Sequence, residues 1–288
     1  MDQNPTLQQR FEEVKRRIAV AAARTGRKPE DIFLVAVTKN ANPEQIRTLL
    51  ELGHRDFGEN RVQQLAQRAS IVREWFERLR VLERTRESSG GSQAGKILVS
   101  GKPAGDGTLH GPARWHLIGH LQRNKVRKAL EHTRLIQSID SLRLAEELQS
   151  VADRREVPID VLIQVNCSGE VSKFGCPVPA AMPLAEQLST MLNVRVRGLM
   201  TMAPHYDDPQ HARPVFSRCA DLFEEIRKAG IGDGRFNLLS MGMSNDFEVA
   251  IEEGANIVRV GTAIFGPSEH AEDPEDANDL TEEETAST

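Results

Sequence analysis

The chain has 288 residues, enough for one barrel-sized domain or two small ones, and its 39% hydrophobic and 27% charged content is that of an ordinary soluble protein. Its net charge of -5 argues against a nucleic-acid-binding surface, which depends on clustered Lys and Arg, and the local basic stretch Arg123 to Lys128 reads as the solvated face of a helix. Cys167, Cys176 and Cys219 form no Cys-x-x-Cys pair and have no His at metal-ligand spacing, a pattern of isolated thiols in a reducing compartment rather than a disulfide framework or zinc site.

The opening segment MDQNPTLQQRFEEVKRR is polar and charged, unlike a secretory signal or membrane anchor, and no apolar run approaches the ~18 residues that span a bilayer. A cytoplasmic location is therefore expected. Within that segment and just beyond, Leu7, Phe11, Val14, Ile18 and Ala21 follow the four-and-three spacing of an amphipathic N-terminal helix. Strand-like runs then alternate with helical patterns: IFLVAVT, RDFGE, RWHLIG, LIQSID, IDVLIQVN, VRVRGLMTM, FNLLSMG and NIVRVG. The helical patterns include Leu144, Leu148 and Val151, and a stripe from Ala212 through Ile226. Such alternation implies parallel strands joined by right-handed crossovers. Eight strands are the number at which such a sheet closes, so the predicted fold is α/β, a (β/α)₈ barrel over residues 1–269. An open doubly wound sheet is the alternative, but it would carry a G-x-G-x-x-G turn where TKNANPEQI follows the first strand.

Two segments stand outside this repeat. Glu87 to Pro112 is dense in Gly and Ser and reads as a flexible insertion, with a short hairpin around KILVSG. From His270 the chain is an acidic tail, residues 270–288, expected to be disordered. No exposed apolar patch is evident in the helical patterns, which suits a monomer.

Barrel chemistry gathers at the C-terminal ends of the strands. Those ends bear Lys39, Glu59 with Asn60, His120, Asp140, Asn166, Met202, Gly242 with Ser244, and Gly261 with Thr262. SMGMSNDFEVAI offers a glycine and then Ser244 as an N-cap, and RVGTAIFG offers another glycine and the Thr262 hydroxyl; loops after the last two strands commonly seat a phosphate. Lys39 ends an apolar strand, where lost hydration would leave more of its amine neutral and able to attack a carbonyl. Arg259, on the strand face of Ile257 and Gly261, needs a partner if buried: a carboxylate inside the barrel or the ring nitrogen of a heteroaromatic ligand. In HLIGH, His116 and His120 on an extended strand would lie about 13 Å apart, too far to share a metal ion.

Taken together, AVTK, FGENRVQ, WHLIGHLQRNK, VNCSGEVSKFG, GLMTMAP, LSMGMSNDFEVAI and VRVGTAIFG closely resemble the pyridoxal phosphate homeostasis proteins, also called proline synthase co-transcribed proteins. The resemblance runs from Ile32 to Gly266, interrupted by the insertion, and the family is similar in fold to the N-terminal barrel of alanine racemase. It implies pyridoxal 5'-phosphate (PLP) as ligand, joined to Lys39 as a Schiff base. Asn60 would lie beside the ring and Arg259 would face its nitrogen. Ser244, Gly261 and Thr262 would hold the phosphate, with Gly242 and Met243 shaping that loop. Cys167 and the TKN after the first strand depart from the usual family residues without removing a contact.

The same resemblance bears on catalysis. Arginine at the ring nitrogen keeps the ring neutral and disfavours carbanions. Racemisation also needs a second acid/base, which alanine racemase takes from a tyrosine of an added C-terminal β domain. Here only the acidic tail follows Gly266, and no motif places Tyr206, the single tyrosine, over the cofactor. His120 and His205 are the remaining candidates. The expectation is a non-catalytic PLP carrier that supplies PLP-dependent apo-enzymes, with a single-domain racemase as the alternative and a Schiff-base aldolase acting on a phosphosugar as a more distant one.

Overall fold

The computed structural model describes residues 5–88, 113–170 and 174–267, so the expected hairpin and the acidic tail lie outside the described residues. Helix α1 (Leu7–Arg24) starts at a capping box in which Thr6 and Gln9 exchange backbone-to-side-chain hydrogen bonds. Its predicted stripe buries Phe11, Val14, Ile18 and Ala21. The strands are β1 (Phe33–Val37), β2 (Asp56–Glu59), β3 (Arg114–Leu117), β4 (Thr133–Ile139), β5 (Ile159–Asn166), β6 (Cys176–Pro177), β7 (Val194–Met200), β8 (Leu238–Ser240) and β9 (Ile257–Val260). The remaining helices are α2 (Pro43–Glu51), α3 (Val62–Ser88), α4 (Val126–Leu130), α5 (Leu142–Arg155), α6 (Val178–Ser189), α7 (Arg213–Lys228), α8 (Phe247–Glu252) and α9 (Thr262–Phe265).

Strand β1 pairs with both β2 and β9, and β4 pairs with β5, so the parallel sheet closes into an eight-stranded barrel. Closure rules out the doubly wound alternative. The two-residue β6 hangs on β5 and was not among the predicted strands, being too short to leave a periodic signal. Three strands stop before their apolar runs end, at Leu117, Met200 and Ser240. Beyond those points single bonds continue the ladder, Ile118 N–H to the Glu59 carbonyl at 2.9 Å and Thr201 N–H to that of Ser240 at 3.1 Å, before the chain turns over the barrel mouth. Helix α3 runs through Ser88, two residues into the expected insertion.

Helix and strand side chains form one large shell of core, while Val35, Leu135, Leu162, Met200 and Ile257 form a separate cluster. Helix α1 packs against the last described elements: Arg10 Nε donates to the Ile264 carbonyl at 2.7 Å, Arg27 Nη1 to that of Ala255 at 2.9 Å, and Arg17 pairs with Glu248 at 2.6 Å. Arg10 supplies a donor to a carbonyl that the end of α9 leaves unpaired.

His54 sits edge-on to Phe11 and Phe57, with ring centroids at 5.4 and 5.2 Å, and Nε2 donates to the Asp56 carbonyl at 2.7 Å. Burial pushes its pKa down to about 4. As pH falls, the unfolded chain, with an ordinary histidine near 6.5, takes up the proton first. Stability from this residue is thus complete above about pH 6.5 and is lost toward pH 4. Urea unfolding should show wild type losing about 2 kcal/mol from this source between about pH 7 and pH 5, and His54→Gln losing correspondingly less.

Candidate functional site

A cavity of about 340 Å³ opens at the C-terminal ends of the strands. It brings together Lys39 from the end of β1, Asn60 from the end of β2, Arg259 on β9, and the Met243–Ser244 and Gly261–Thr262 loops. Gly242 stands behind the wall, and Glu59, His120, Asp140 and Asn166 are not part of the lining.

Lys39 itself is exposed, so the dehydration expected of it is absent in this structure. What is buried is the support beneath it. Glu59 is wholly inaccessible and accepts hydrogen bonds through Oε1 from Arg68 Nη1 and the Thr38 hydroxyl. Arg68 Nη2 reaches the carbonyls of Lys39 at 3.2 Å and Ala41 at 3.1 Å, so a single guanidinium ties the β1 loop to a buried carboxylate on β2.

Ser244 is not the predicted N-cap. Helix α8 starts after Asp246, and the Ser244 hydroxyl instead accepts the N–H groups of Gly261 at 3.2 Å and Ala263 at 3.3 Å. The loops after β8 and β9 are thereby joined side by side. Asp246 holds the first of them through a 2.6 Å bond from Met243 N–H to Oδ1. Burial pushes the Asp246 carboxyl up, opposed by that bond and by the charge of Arg259.

Arg259 is buried, 3% exposed, and donates from Nη1 to Ser240 Oγ at 2.5 Å and from Nη2 to the Thr201 carbonyl at 2.9 Å. Of the two expected partners, a carboxylate inside the barrel or the ring nitrogen of a ligand, the carboxylate does not take these hydrogen bonds: a hydroxyl and a carbonyl do, and Asp246 contributes by charge. Burial brings the Arg259 pKa down to about 10, with Asp246 acting in the opposite direction.

Met202 also lines the cavity, while Asn166 and His120 serve elsewhere. Asn166 Oδ1 accepts from the Ser168 hydroxyl and from Gly169 N–H, organising the loop after β5. His120 Nδ1 lies 3.6 Å from Asp140 Oδ2, and its ring stacks on Phe174 at 4.8 Å. His120 also lies beyond the end of β3, which corrects the extended spacing assumed for HLIGH; among the described residues no group of three His, Cys, Asp or Glu side chains is placed to hold a metal. Cys167, Cys176 and Cys219 are free, buried thiols, as their spacing implied. Residues outside the expected binding set line the cavity as well: His205 and Tyr206, weighed above only as acid/base candidates, and Asn245 and Asp246. Asn245 Nδ2 donates to the Tyr206 carbonyl at 2.9 Å and fixes the loop after β7 to the loop after β8, so the solitary tyrosine does reach the site.

The fold and the strand-end constellation define a (β/α)₈ barrel of the alanine racemase N-terminal type, and the profile of that domain matches residues 11–269. A pyridoxal phosphate homeostasis protein of Aquifex aeolicus is 35% identical over 90% of this chain and 96% of its own, and one of Pseudomonas aeruginosa is 32% identical over 92% and 97%. The solved structure of PipY from Synechococcus elongatus, with PLP bound, superposes with a TM-score of 0.65 at 30% identity, covering 86% of this chain and 100% of that one. The chain belongs to the pyridoxal phosphate homeostasis protein family.

Proposed function

We propose that this chain binds PLP at the barrel mouth, holds it as a Schiff base on Lys39 and contributes to intracellular PLP homeostasis without catalytic turnover. The observation that carries this reading is the convergence, in one cavity, of Lys39, Arg259 and the joined Ser244 and Gly261–Thr262 loops. The donor set fits: an amine for an aldehyde, a guanidinium for a ring nitrogen, and hydroxyl and backbone N–H groups for a phosphate. A volume of about 340 Å³ suits a small ligand. Lys39 Nζ, when neutral, adds to the aldehyde carbon, and its two protons leave with the carbonyl oxygen as water. Bound PLP supplies an electron sink that is strong only when its ring nitrogen is protonated. Arg259 can donate to that nitrogen but cannot give it a proton readily, which restrains carbanion chemistry. The proposal extends to one barrel domain over residues 1–269, acting as a cytoplasmic monomer that supplies PLP-dependent apo-enzymes.

Borohydride reduction after incubation with PLP, followed by peptide mass mapping, tests it. The adduct is expected on the peptide containing Phe33 to Asn40 and is expected to vanish in Lys39→Ala. A wild-type protein without adduct there overturns the reading.

A racemase remains the second reading, because Tyr206 and His205 line the same cavity. Enzyme-rate exchange of the alanine α-hydrogen with solvent deuterium, abolished by Tyr206→Phe, would favour it.

A further inference from the structure

The partners of Arg259 do not end at Ser240. The Ser240 hydroxyl lies 2.7 Å from Gln137 Oε1, Gln137 Nε2 lies 3.0 Å from His116 Nδ1, and His116 Nε2 lies 3.2 Å from Asp56 Oδ1. Asp56 is in turn gripped by Arg114 through a pair of hydrogen bonds, one of them 2.7 Å from Nε to Oδ1. Ser240 and Gln137 are wholly buried and His116 nearly so, while Asp56 and Arg114 open β2 and β3 at the far end of the barrel from the cavity. One continuous run of hydrogen bonds therefore crosses the barrel interior from mouth to base.

The chemistry of its two ends fixes its direction. A guanidinium only donates, so Ser240 Oγ accepts from Arg259 and passes its own proton toward Gln137. A carboxylate only accepts, so His116 presents Nε2–H to Asp56, and a neutral imidazole then has a bare Nδ1 to receive the Gln137 amide. Every group in the run is satisfied in one arrangement of protons, the condition under which a buried polar network is rigid rather than costly.

We propose that Ser240, Gln137 and His116 are positioning residues that fix the guanidinium of Arg259 toward the ring of bound PLP, with the Asp56–Arg114 pair as their anchor. This rests on the reading that Arg259 faces the ring nitrogen. Removing Gln137 cuts the run in the middle without touching any residue that lines the cavity.

Four variants of the full chain, Arg259→Ala among them, test this, with PLP affinity and the visible absorbance band as readouts. Ser240→Ala and Gln137→Leu should each raise the PLP dissociation constant about tenfold, the loss of one hydrogen bond to a charged group. Each should shift the band in the same direction as Arg259→Ala while borohydride trapping on Lys39 persists at saturating PLP. Ser240→Thr, which retains the hydroxyl, should restore both. Wild-type band and affinity in a folded Gln137→Leu overturn the relay, whereas an unchanged band in Arg259→Ala overturns the ring contact itself and the relay with it. A further measurement needs neither variant nor PLP: ¹⁵N spectra of wild type should show His116 carrying its proton on Nε2 alone, and a ring protonated on Nδ1 overturns the proposal even if Gln137→Leu fails to fold.

Discussion

Arg68→Ala should cost about 3 to 5 kcal/mol of stability, the amount lost when one partner of a buried ion pair is removed and the other stays charged. The partner left behind is Glu59, whose side chain is inaccessible and whose Oε2 has no hydrogen-bond partner among the described residues, so Oε1 and its two donors carry all the compensation the carboxylate receives there. The pair is costly as well as necessary: burial brings the Arg68 pKa down to about 10. Replacing both residues by neutral ones, Glu59→Gln with Arg68→Met, should therefore recover more than half of the loss. Urea unfolding of the two variants decides it, and a loss below about 1 kcal/mol in Arg68→Ala would show that the pair is not desolvated as the structure has it. A second consequence follows from the bonds of Arg68 to the Lys39 and Ala41 carbonyls. Without them the β1 loop loses its tie to β2, and the proposed Schiff-base formation on Lys39 should slow even at temperatures where the variant is fully folded.

Neither Glu59 nor Arg68 could be paired from the sequence, and the reason applies to most of what the sequence left hidden. Hydrophobic spacing reports which residues are buried on average, and it placed α1, α5, α7 and the closed barrel correctly because those depend on apolar faces. It also led to the mouth, since parallel strands in a barrel must end on one side. What it does not report is which polar groups meet. Glu59 and Arg68 lie nine residues apart on a strand and a helix, and each alone resembles a surface residue. Gln137 in LIQSID and His116 in RWHLIG interrupt apolar runs in the way that a solvent-facing position would, yet both are buried and bond to each other. Ser244 has the place of a helix cap just before FEVAI, but Asp246 stands at the cap position, its side chain bonded to Met243 N–H, and the Ser244 hydroxyl bridges to the loop after β9. Tyr206 reaches the cavity through a bond from Asn245 to its backbone carbonyl, a contact that no side-chain pattern encodes.

Gly242→Ala is expected to lower stability by about 3 kcal/mol and to weaken PLP binding at least about tenfold, combining strain at a disfavoured dihedral with overpacking. Gly242 has φ +88°, and a Cβ there would lie 2.6 Å from Ala250 Cβ and 2.7 Å from Phe247 Cα. Both atoms belong to α8 rather than to the end of a flexible side chain, so relief requires the helix and the loop after β8 to separate. That loop carries Ser244, whose hydroxyl holds the N–H groups of Gly261 and Ala263, and the Gly242 carbonyl accepts from Arg259 N–H at 3.1 Å. A displaced loop would thus disturb the proposed phosphate and ring contacts together. Gly53 provides the control, because it has the same φ of +88° and a Cβ added there would meet no described atom within 4 Å. Gly53→Ala should cost only about 1 kcal/mol, the dihedral penalty alone, and leave PLP affinity unchanged. If the two variants lose equal stability in urea and bind PLP equally well, steric support of the loop by α8 is not what holds the site together.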